Sequence, residues 1–210
     1  MTFHPATARL YGILDTGYIA PENAIATAHA MLEGGVEILQ LRAKKLPRTE
    51  IAALARELAP LCGKSSVPLI LNDHPDLVPE TGAHGAHVGQ DDITVAEARR
   101  LAGPDKIIGL STHSPAQATA AIAQKPDYIG FGPLFSTPTK PDYTPIGLSD
   151  IAPVHAAVPL PIFCIGGIKL HNLPQVLEAG ARRAVIVSGI LQAPDPAAYC
   201  RSCLALLRAR

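Results

Sequence analysis

The sequence is poor in charged and aromatic residues and contains no tryptophan. Charged residues make up 17% and aromatic residues 4% of its 210 residues, and 18 basic side chains are balanced by 18 acidic ones. A chain without net charge creates no long-range field for a polyanion, and no basic cluster is interleaved with aromatic residues. These shortages argue against a nucleic-acid partner.

Cysteine is scarce as well. The four cysteines are Cys62, Cys164, Cys200 and Cys203. The single CxxC pair has no second pair to complete a zinc site, so we expect its two cysteines to be small packing residues of a terminal helix. His84 and His87 would point to opposite faces of a strand, which favours ordinary surface or core histidines over metal ligands.

Long hydrophobic segments are also few. Residues 1–10 have no apolar run behind a basic start, so we expect no signal peptide. Residues 151–168 contain no Asp, Glu, Lys or Arg, but three prolines and two glycines would break any membrane-spanning helix. We expect a short helix followed by a buried strand there, no membrane partner, and a cytoplasmic protein.

The sequence does contain a regular alternation of short apolar runs and helical patterns, repeated eight times. Nearly continuous apolar runs are typical of strands that are buried on both faces. The predicted strands are Arg9–Leu14, Val36–Arg42, Pro68–Asn72, Gly85–Val88, Lys106–Ser111, Tyr128–Phe131, Pro161–Ile165 and Arg183–Val187.

The segments between these runs carry helix signals. Apolar residues follow helical spacing in Asn23–Leu32, and Gly34 stands where a left-handed cap would end that helix. The predicted N-cap residues of later helices are Thr94, Ser114, Asn172 and Asp195. Eight such units predict an α/β fold, a single (β/α)8 TIM barrel over residues 1–210. The alternative, a doubly wound sheet, lacks its glycine-rich fingerprint after the first strand.

In such a barrel the active site lies at the C-terminal ends of the strands. Gln40, Arg42 and Lys44 alternate with apolar residues at the end of the second strand, so all three should face the barrel interior. Two cations and an amide on one face indicate a phosphate or diphosphate site. The alternative is a solvated strand end.

Carboxylates follow the third and fourth strands. Asp73 comes directly after Asn72, and Asp91 and Asp92 lie in the loop after the fourth strand. Neighbouring strands lie about 5 Å apart, so carboxylates from both loops can approach one Mg²⁺, completed by water and phosphate oxygens. Asp91 and Asp92 could instead cap the helix that begins near Thr94.

The remaining strand ends suggest a second anion site. The seventh strand ends in Gly166 and Gly167, and the eighth is followed by Ser188, where a short helix would direct backbone N–H groups at an anion. The long loop 132–147 supplies hydroxyl groups and a lysine. The residues alone therefore predict two phosphate sites at one barrel mouth.

Seven segments, in order along nearly the whole chain, resemble the thiamine-phosphate synthase family. They are Gln40–Lys44, Leu71–Asp73, Gly85–Asp92, Gly109–His113, Gly130–Lys140, Gly166–Gly167 and Val187–Ser188. The resemblance implies a (β/α)8-barrel transferase. Such an enzyme joins 4-amino-2-methyl-5-pyrimidinylmethyl diphosphate to a thiazole phosphate, carboxylated or not, by Mg²⁺-assisted dissociative substitution, giving thiamine phosphate and pyrophosphate.

The resemblance also implies roles for individual residues. Those expected to bind the pyrimidine diphosphate are Gln40, Arg42, Lys44, Asn72, Ser111 and Lys140, with Arg42, Lys44, Ser111 and Lys140 acting in catalysis. Those expected to bind the thiazole phosphate are Thr137, Thr139, Gly167, Val187 and Ser188. Asp73 and Asp92 would hold one Mg²⁺.

Two other functions are compatible with the same barrel. One is a thiazole tautomerase, for which His113 would transfer protons; the other is a noncatalytic sensor of thiazole or thiamine phosphate. A tautomerase has no use for a diphosphate site or Mg²⁺, so the retained cations and carboxylates favour the synthase. The expected partners are small molecules, and a homo-oligomer is left open.

Overall fold

The computed structural model describes residues 5–137 and 144–209. Eight parallel strands close into a barrel in sequence order, so the predicted (β/α)8 fold is confirmed. Each observed strand begins and ends within two residues of its predicted position. The strands are β1 (Leu10–Asp15), β2 (Ile38–Arg42), β3 (Leu69–Asn72), β4 (Gly85–Val88), β5 (Ile107–Thr112), β6 (Tyr128–Phe131), β7 (Ile162–Cys164) and β8 (Ala184–Ile186).

Helices surround the barrel. Within the described residues they are α1 (Ala24–Glu33), α2 (Arg48–Lys64), α3 (Val78–Thr81), α4 (Val95–Ala102), α5 (Pro115–Gln124), α6 (Ile151–Ala157), α7 (Leu173–Glu178), α8 (Ser188–Leu191) and α9 (Pro196–Arg208). The segment 151–168 forms α6 followed by the buried strand β7, as predicted. None of the described helices is long and apolar enough to cross a membrane.

Alternating side chains of the strands divide the core into two layers. Leu39 and Leu41 of β2 belong to the larger layer between the barrel and the helices. Gln40, between them, points into the barrel, where Tyr11, Tyr128 and Phe163 form the centre of a smaller apolar cluster. The period of two in a strand produces this separation. It places the polar residues of the strand ends inside the barrel mouth.

Three of the predicted helix caps are confirmed. The side chains of Thr94, Ser114 and Asp195 accept hydrogen bonds from the backbone N–H groups of Glu97, Gln117 and Ala198. Asn172 stands at the N-cap position of α7, as predicted, but its side chain makes no capping hydrogen bond. Its side-chain amide instead forms hydrogen bonds with the preceding loop, so Asn172 holds that loop in place and does not cap the helix.

The prediction that Gly34 forms a left-handed cap is wrong. Gly34 has φ −74°, and the left-handed residue is Gly35, with φ +89°. Gly34 is required for another reason: a Cβ atom there would lie 2.5 Å from Cβ of Cys200. The end of α1 can therefore pack closely against α9 only because residue 34 has no side chain.

The cysteines are packing residues, as predicted. All four are free and buried. Burial raises the pKa of Cys200 and Cys203 to about 12, so both thiols stay protonated at neutral pH. His84 is likewise structural, since its Nδ1 accepts a hydrogen bond from the Leu69 N–H at 3.1 Å.

Candidate active site

A pocket opens at the C-terminal ends of the strands. It brings together most of the residues that the sequence assigned to substrates, although they come from six different strand ends or loops. The predicted residues that line it are Gln40, Arg42, Asn72, Ser111, Thr137, Gly167, Val187 and Ser188. Thr139 and Lys140 lie outside the described residues, so their assigned roles stay predictions.

The cationic side of the pocket is built on β1 and β2. Arg42 donates to Asp15 through a 2.7 Å contact between Nη1 and Oδ2. Asp15 is buried, and its other carboxylate oxygen accepts the Gly17 N–H at 2.9 Å. The guanidinium is therefore held at a fixed position in the pocket wall. A planar guanidinium with several donors suits phosphate oxygens.

The structure corrects the placement of Lys44. β2 ends at Arg42, and Lys44 lies in the following turn with 54% of its side chain exposed, outside the pocket lining. The alternation of a strand cannot be extended past the point where the strand ends. The Lys44 ammonium forms an ion pair with Oδ2 of Asp73. It stands at the rim of the mouth, beside the carboxylate.

Asp73 and Asp92 also lie outside the described pocket lining. Oδ2 of Asp73 is buried and accepts no hydrogen bond from the described residues, apart from its ionic contact with Lys44. Oδ2 of Asp92 accepts the Gly89 N–H at 2.7 Å. Asp92 does not cap α4, since Thr94 does so.

The donor chemistry of these two carboxylates fits Mg²⁺. The described residues contain no cluster of three or more His, Cys, Asp or Glu side chains that could hold a metal. Mg²⁺ commonly takes only one or two protein carboxylates and completes its shell with water and substrate phosphates. A buried carboxylate oxygen whose contact is the half-exposed Lys44 ammonium is compatible with such an ion. Asp73 and Asp92 as its ligands remain a prediction.

The sequence interpretation missed His87. The ring lines the pocket, with Nδ1 3.1 Å from the Tyr128 hydroxyl and Nε2 2.9 Å from Oγ of Ser111. Ala86 and Val88 belong to the outer apolar layer, so the alternation along β4 turns His87 inward. This alternation of outward and inward positions along β4 is the sequence signal that could have identified His87 as a pocket residue.

Three aromatic rings form the floor of the pocket. Tyr11, Tyr128 and Phe163 pack edge to face, with centroids between 5.4 and 5.8 Å apart. Burial raises the pKa of both tyrosines well above the ordinary value, so both phenols are neutral. A flat, uncharged floor of this kind suits a heteroaromatic ring.

A second part of the pocket wall is a glycine turn. Gly166 and Gly167 have φ values of +98° and +67°, a region that favours glycine. Asn172 holds this turn, because its Nδ2 donates to the Gly167 carbonyl at 3.0 Å and its Oδ1 accepts the Lys169 N–H at 2.7 Å. Val187 and Ser188, at the start of α8, complete this side.

His113 lies at the edge of the same pocket. Its Nδ1 is 2.5 Å from the Gly132 carbonyl oxygen, and its backbone N–H donates to Oε1 of Gln117 at 2.7 Å. A carbonyl oxygen can only accept, so this contact places the ring hydrogen on Nδ1. A neutral ring with its hydrogen on Nδ1 carries none on Nε2.

Fold and pocket together define a barrel enzyme with a polar mouth at the strand ends, as barrel enzymes have. The sequence profile described as thiamine monophosphate synthase matches residues 10–190. The chain belongs to this family and is a transferase that acts on small molecules.

Individual relatives agree with this placement. The thiamine-phosphate synthase of Halalkalibacterium halodurans is 41% identical over 203 residues, which cover 96% of both chains. That of Thermus thermophilus is 47% identical over 175 residues, covering 81% of this chain and 82% of the other. The solved thiamine phosphate pyrophosphorylase of Pyrococcus furiosus superposes with a TM-score of 0.89 at 26% identity, covering 98% of each chain.

Proposed function

We propose that this protein couples 4-amino-2-methyl-5-pyrimidinylmethyl diphosphate with a thiazole phosphate to give thiamine phosphate and pyrophosphate. The observation that carries the proposal is the presence of two different anion-binding arrangements in one pocket. Arg42, fixed by Asp15, stands on one side, and the Gly166–Gly167 turn with Ser188 stands on the other. A diphosphate and a monophosphate could occupy the two sides while the rings meet above the aromatic floor.

The reaction needs few groups from the protein. The bond between the methylene carbon and the diphosphate oxygen breaks, and its electron pair leaves with pyrophosphate. The aminopyrimidine stabilises the resulting cation, and the thiazole nitrogen donates its lone pair to form the new C–N bond. With a carboxylated thiazole, carbon dioxide is lost as well. No proton must be removed for this attack, so leaving-group neutralisation and orientation are the main requirements.

We assign these requirements to different residues of the pocket and its rim. Arg42 would bind the leaving diphosphate, with Gln40 and Asn72 beside it, while Lys44 would approach it from the rim. Bound between Asp73, Asp92 and the diphosphate, Mg²⁺ would neutralise charge that develops on the leaving group. Lys140, between β6 and α6 in the sequence, is proposed as a further cation for the same oxygens, and Thr139 as a thiazole contact.

A coupled assay tests the proposal. Purified protein, Mg²⁺ and both substrates should yield thiamine phosphate and pyrophosphate in equal amounts, detected by chromatography. Arg42→Gln, which keeps a polar side chain but removes the charge, should slow the reaction about a hundredfold, as expected for one transition-state contact of about 3 kcal/mol. The absence of coupled product from the unaltered protein would contradict the proposal.

The geometry of His113 favours one second candidate. With Nδ1 bonded to the Gly132 carbonyl, Nε2 could move protons on a carboxythiazole, as a tautomerase requires. The same assay separates the two functions if it is repeated with the thiazole alone. Interconversion of carboxythiazole isomers without coupling would replace the synthase by the tautomerase.

A further inference from the structure

Five polar side chains form a continuous hydrogen-bonded network inside the barrel, which we call the interior network. Nε2 of Gln40 lies 2.6 Å from the Tyr11 hydroxyl, which lies 2.9 Å from the Tyr128 hydroxyl. The Tyr128 hydroxyl lies 3.1 Å from Nδ1 of His87, and Nε2 of His87 lies 2.9 Å from Oγ of Ser111. The network thus runs from β2 to β5 along the floor and wall of the pocket.

The direction of each hydrogen bond follows from one end. The amide nitrogen of Gln40 carries only donors, so the Tyr11 oxygen accepts. Tyr11 must then donate its own hydrogen to Tyr128, and Tyr128 must donate to Nδ1 of His87. A neutral imidazole whose Nδ1 accepts carries its hydrogen on Nε2. Nε2 therefore donates to Ser111.

Burial fixes this direction of the hydrogen bonds. Tyr11, Gln40 and Tyr128 are all at most 2% exposed, so water cannot replace a misdirected donor at these positions. The pKa of each tyrosine is raised by burial, so both hydroxyl hydrogens are present. Reversing one bond would require reversing the Gln40 amide.

The packing of β5 keeps the network in place. A Cβ atom on Gly109 would lie 2.2 Å from Cζ of Tyr128 and 2.4 Å from Nδ1 of His87. Only glycine at this position lets the tyrosine and histidine approach each other across the strand. The Tyr128–His87 hydrogen bond is therefore built into the backbone of the barrel.

We propose that Tyr128 is a positioning residue that fixes His87 as the Nε2–H tautomer and so makes Ser111 a hydrogen-bond donor toward the substrate ring. Because the Ser111 oxygen already accepts from His87, its own hydrogen points to an acceptor in the pocket. The ligand this selects is a heteroaromatic ring with an unprotonated nitrogen facing β5. The assignment of that ring to the pyrimidine substrate rests on the proposed function.

Two measurements test this role in the full-length protein. In ¹⁵N NMR of the imidazole side chains, His87 of the unaltered protein should show a protonated Nε2 and an unprotonated Nδ1. Tyr128→Phe removes the donor to Nδ1 and should give a mixture of both tautomers. A protonated Nδ1 in the unaltered protein, or an unchanged spectrum in the variant, would overturn the proposal whether or not the protein couples the two substrates.

The second measurement is substrate discrimination. We compare kcat/KM for the pyrimidine diphosphate with that for two analogues in which each ring nitrogen in turn is replaced by C–H. One analogue should react about tenfold more slowly with the unaltered protein, the usual effect of one lost hydrogen bond. In Tyr128→Phe and in Ser111→Ala this ratio should fall toward one.

The controls separate positioning from general damage. Tyr199→Phe removes a half-buried hydroxyl outside the network, which accepts the Leu170 N–H on the thiazole side, and should leave the discrimination ratio unchanged. Should Tyr128→Phe fail to fold, Tyr11→Phe tests the same point, because Tyr128 is then no longer forced to donate to His87. A ratio that stays near ten in the folded variant would contradict the proposal.

Discussion

Arg42 and Asp15 form a partly buried ion pair across the first two strands, with Nη1 and Oδ2 2.7 Å apart and side chains 16% and 2% exposed. The strands hold the pair in register, because Asp15 and Arg42 are partners in the β1–β2 ladder. Asp15 thus has two roles: it neutralises the guanidinium and fixes the direction in which its remaining donors point.

Removing Asp15 should affect both stability and substrate binding. Asp15→Ala leaves the Arg42 charge without a partner, which typically costs about 3 kcal/mol. We expect the free energy of unfolding in urea to fall by about that amount, and KM for the pyrimidine diphosphate to rise about tenfold. Glu97→Ala, which breaks the exposed pair with Arg100, serves as the control and should leave both values unchanged. Equal effects of the two variants would show that the Asp15–Arg42 pair contributes no more to stability and binding than an exposed ion pair.

The two carboxylates proposed to bind Mg²⁺ should respond unequally. Asp73→Asn removes a buried anionic oxygen and separates Lys44 from its partner, whereas Asp92→Asn alters a carboxylate that bonds its own loop. Calorimetric titration should show weaker Mg²⁺-dependent binding of the pyrimidine diphosphate in both, with the larger loss in Asp73→Asn. Thiazole phosphate binding should stay as in the unaltered protein. Unchanged Mg²⁺-dependent turnover in both variants would remove these residues from the metal site.

Asn172 should matter for only one substrate. Asn172→Ala removes both hydrogen bonds that hold the turn at Gly167. We expect KM for the thiazole phosphate to rise about tenfold and KM for the pyrimidine diphosphate to stay constant. Asn23→Ala is the control, because Asn23 also precedes a helix without capping it but is exposed and far along the sequence from the glycine turn. A parallel rise in both KM values would indicate general loosening of the barrel.

His155 should make the protein less stable in mild acid. Burial, together with Arg182 and Arg183, lowers the pKa of His155 to about 4, and its Nε2 has no hydrogen-bond partner among the described residues. Between the unfolded value of 6.5 and about 4 the unfolded chain binds a proton that the folded chain does not. Stability is therefore full above this window and falls as the pH decreases through it.

Unfolding in urea at about pH 7 and about pH 5 measures this effect. The unaltered protein should lose on the order of 1 kcal/mol more than His155→Gln, a modest figure because solvent screens the partly exposed ring. His29→Gln, in an exposed side chain on α1, is the control and should keep the full loss. An identical loss in His155→Gln would exclude His155 as the source.

The fold could be predicted because its signals are local. Buried parallel strands have nearly continuous apolar sequences. The caps at Thr94, Ser114 and Asp195 need only a side chain and a nearby backbone N–H. Gly34 and Asn172 were misinterpreted for the opposite reason. Gly34 is determined by α9, at the other end of the sequence, and Asn172 by the turn that its amide holds. Such tertiary contacts leave no local pattern.

Strand alternation and the family motifs predicted part of the site. Gln40 and Arg42 face the pocket because they belong to β2, whereas Lys44 was misplaced because the alternation ends with the strand. His87 was set aside because His84 and His87 point to opposite faces of the strand, which argues against a shared metal site but does not test other roles. Only the fold, which brings Ser111 of β5 and Tyr128 of β6 to the ring, shows that each nitrogen of His87 has a partner.

The closed order of the strands also bears on how the active protein forms. β1 joins β8 through the pairing of Leu10 with Ala184, so the last contact to close the sheet spans nearly the whole chain. Contacts of such long separation carry the largest loop-closure entropy. Arg42 and Ser188 stand on either side of this seam. During refolding, the proposed coupling activity should therefore appear only when β8 pairs with β1, and it should report completion of the barrel, not formation of the helices.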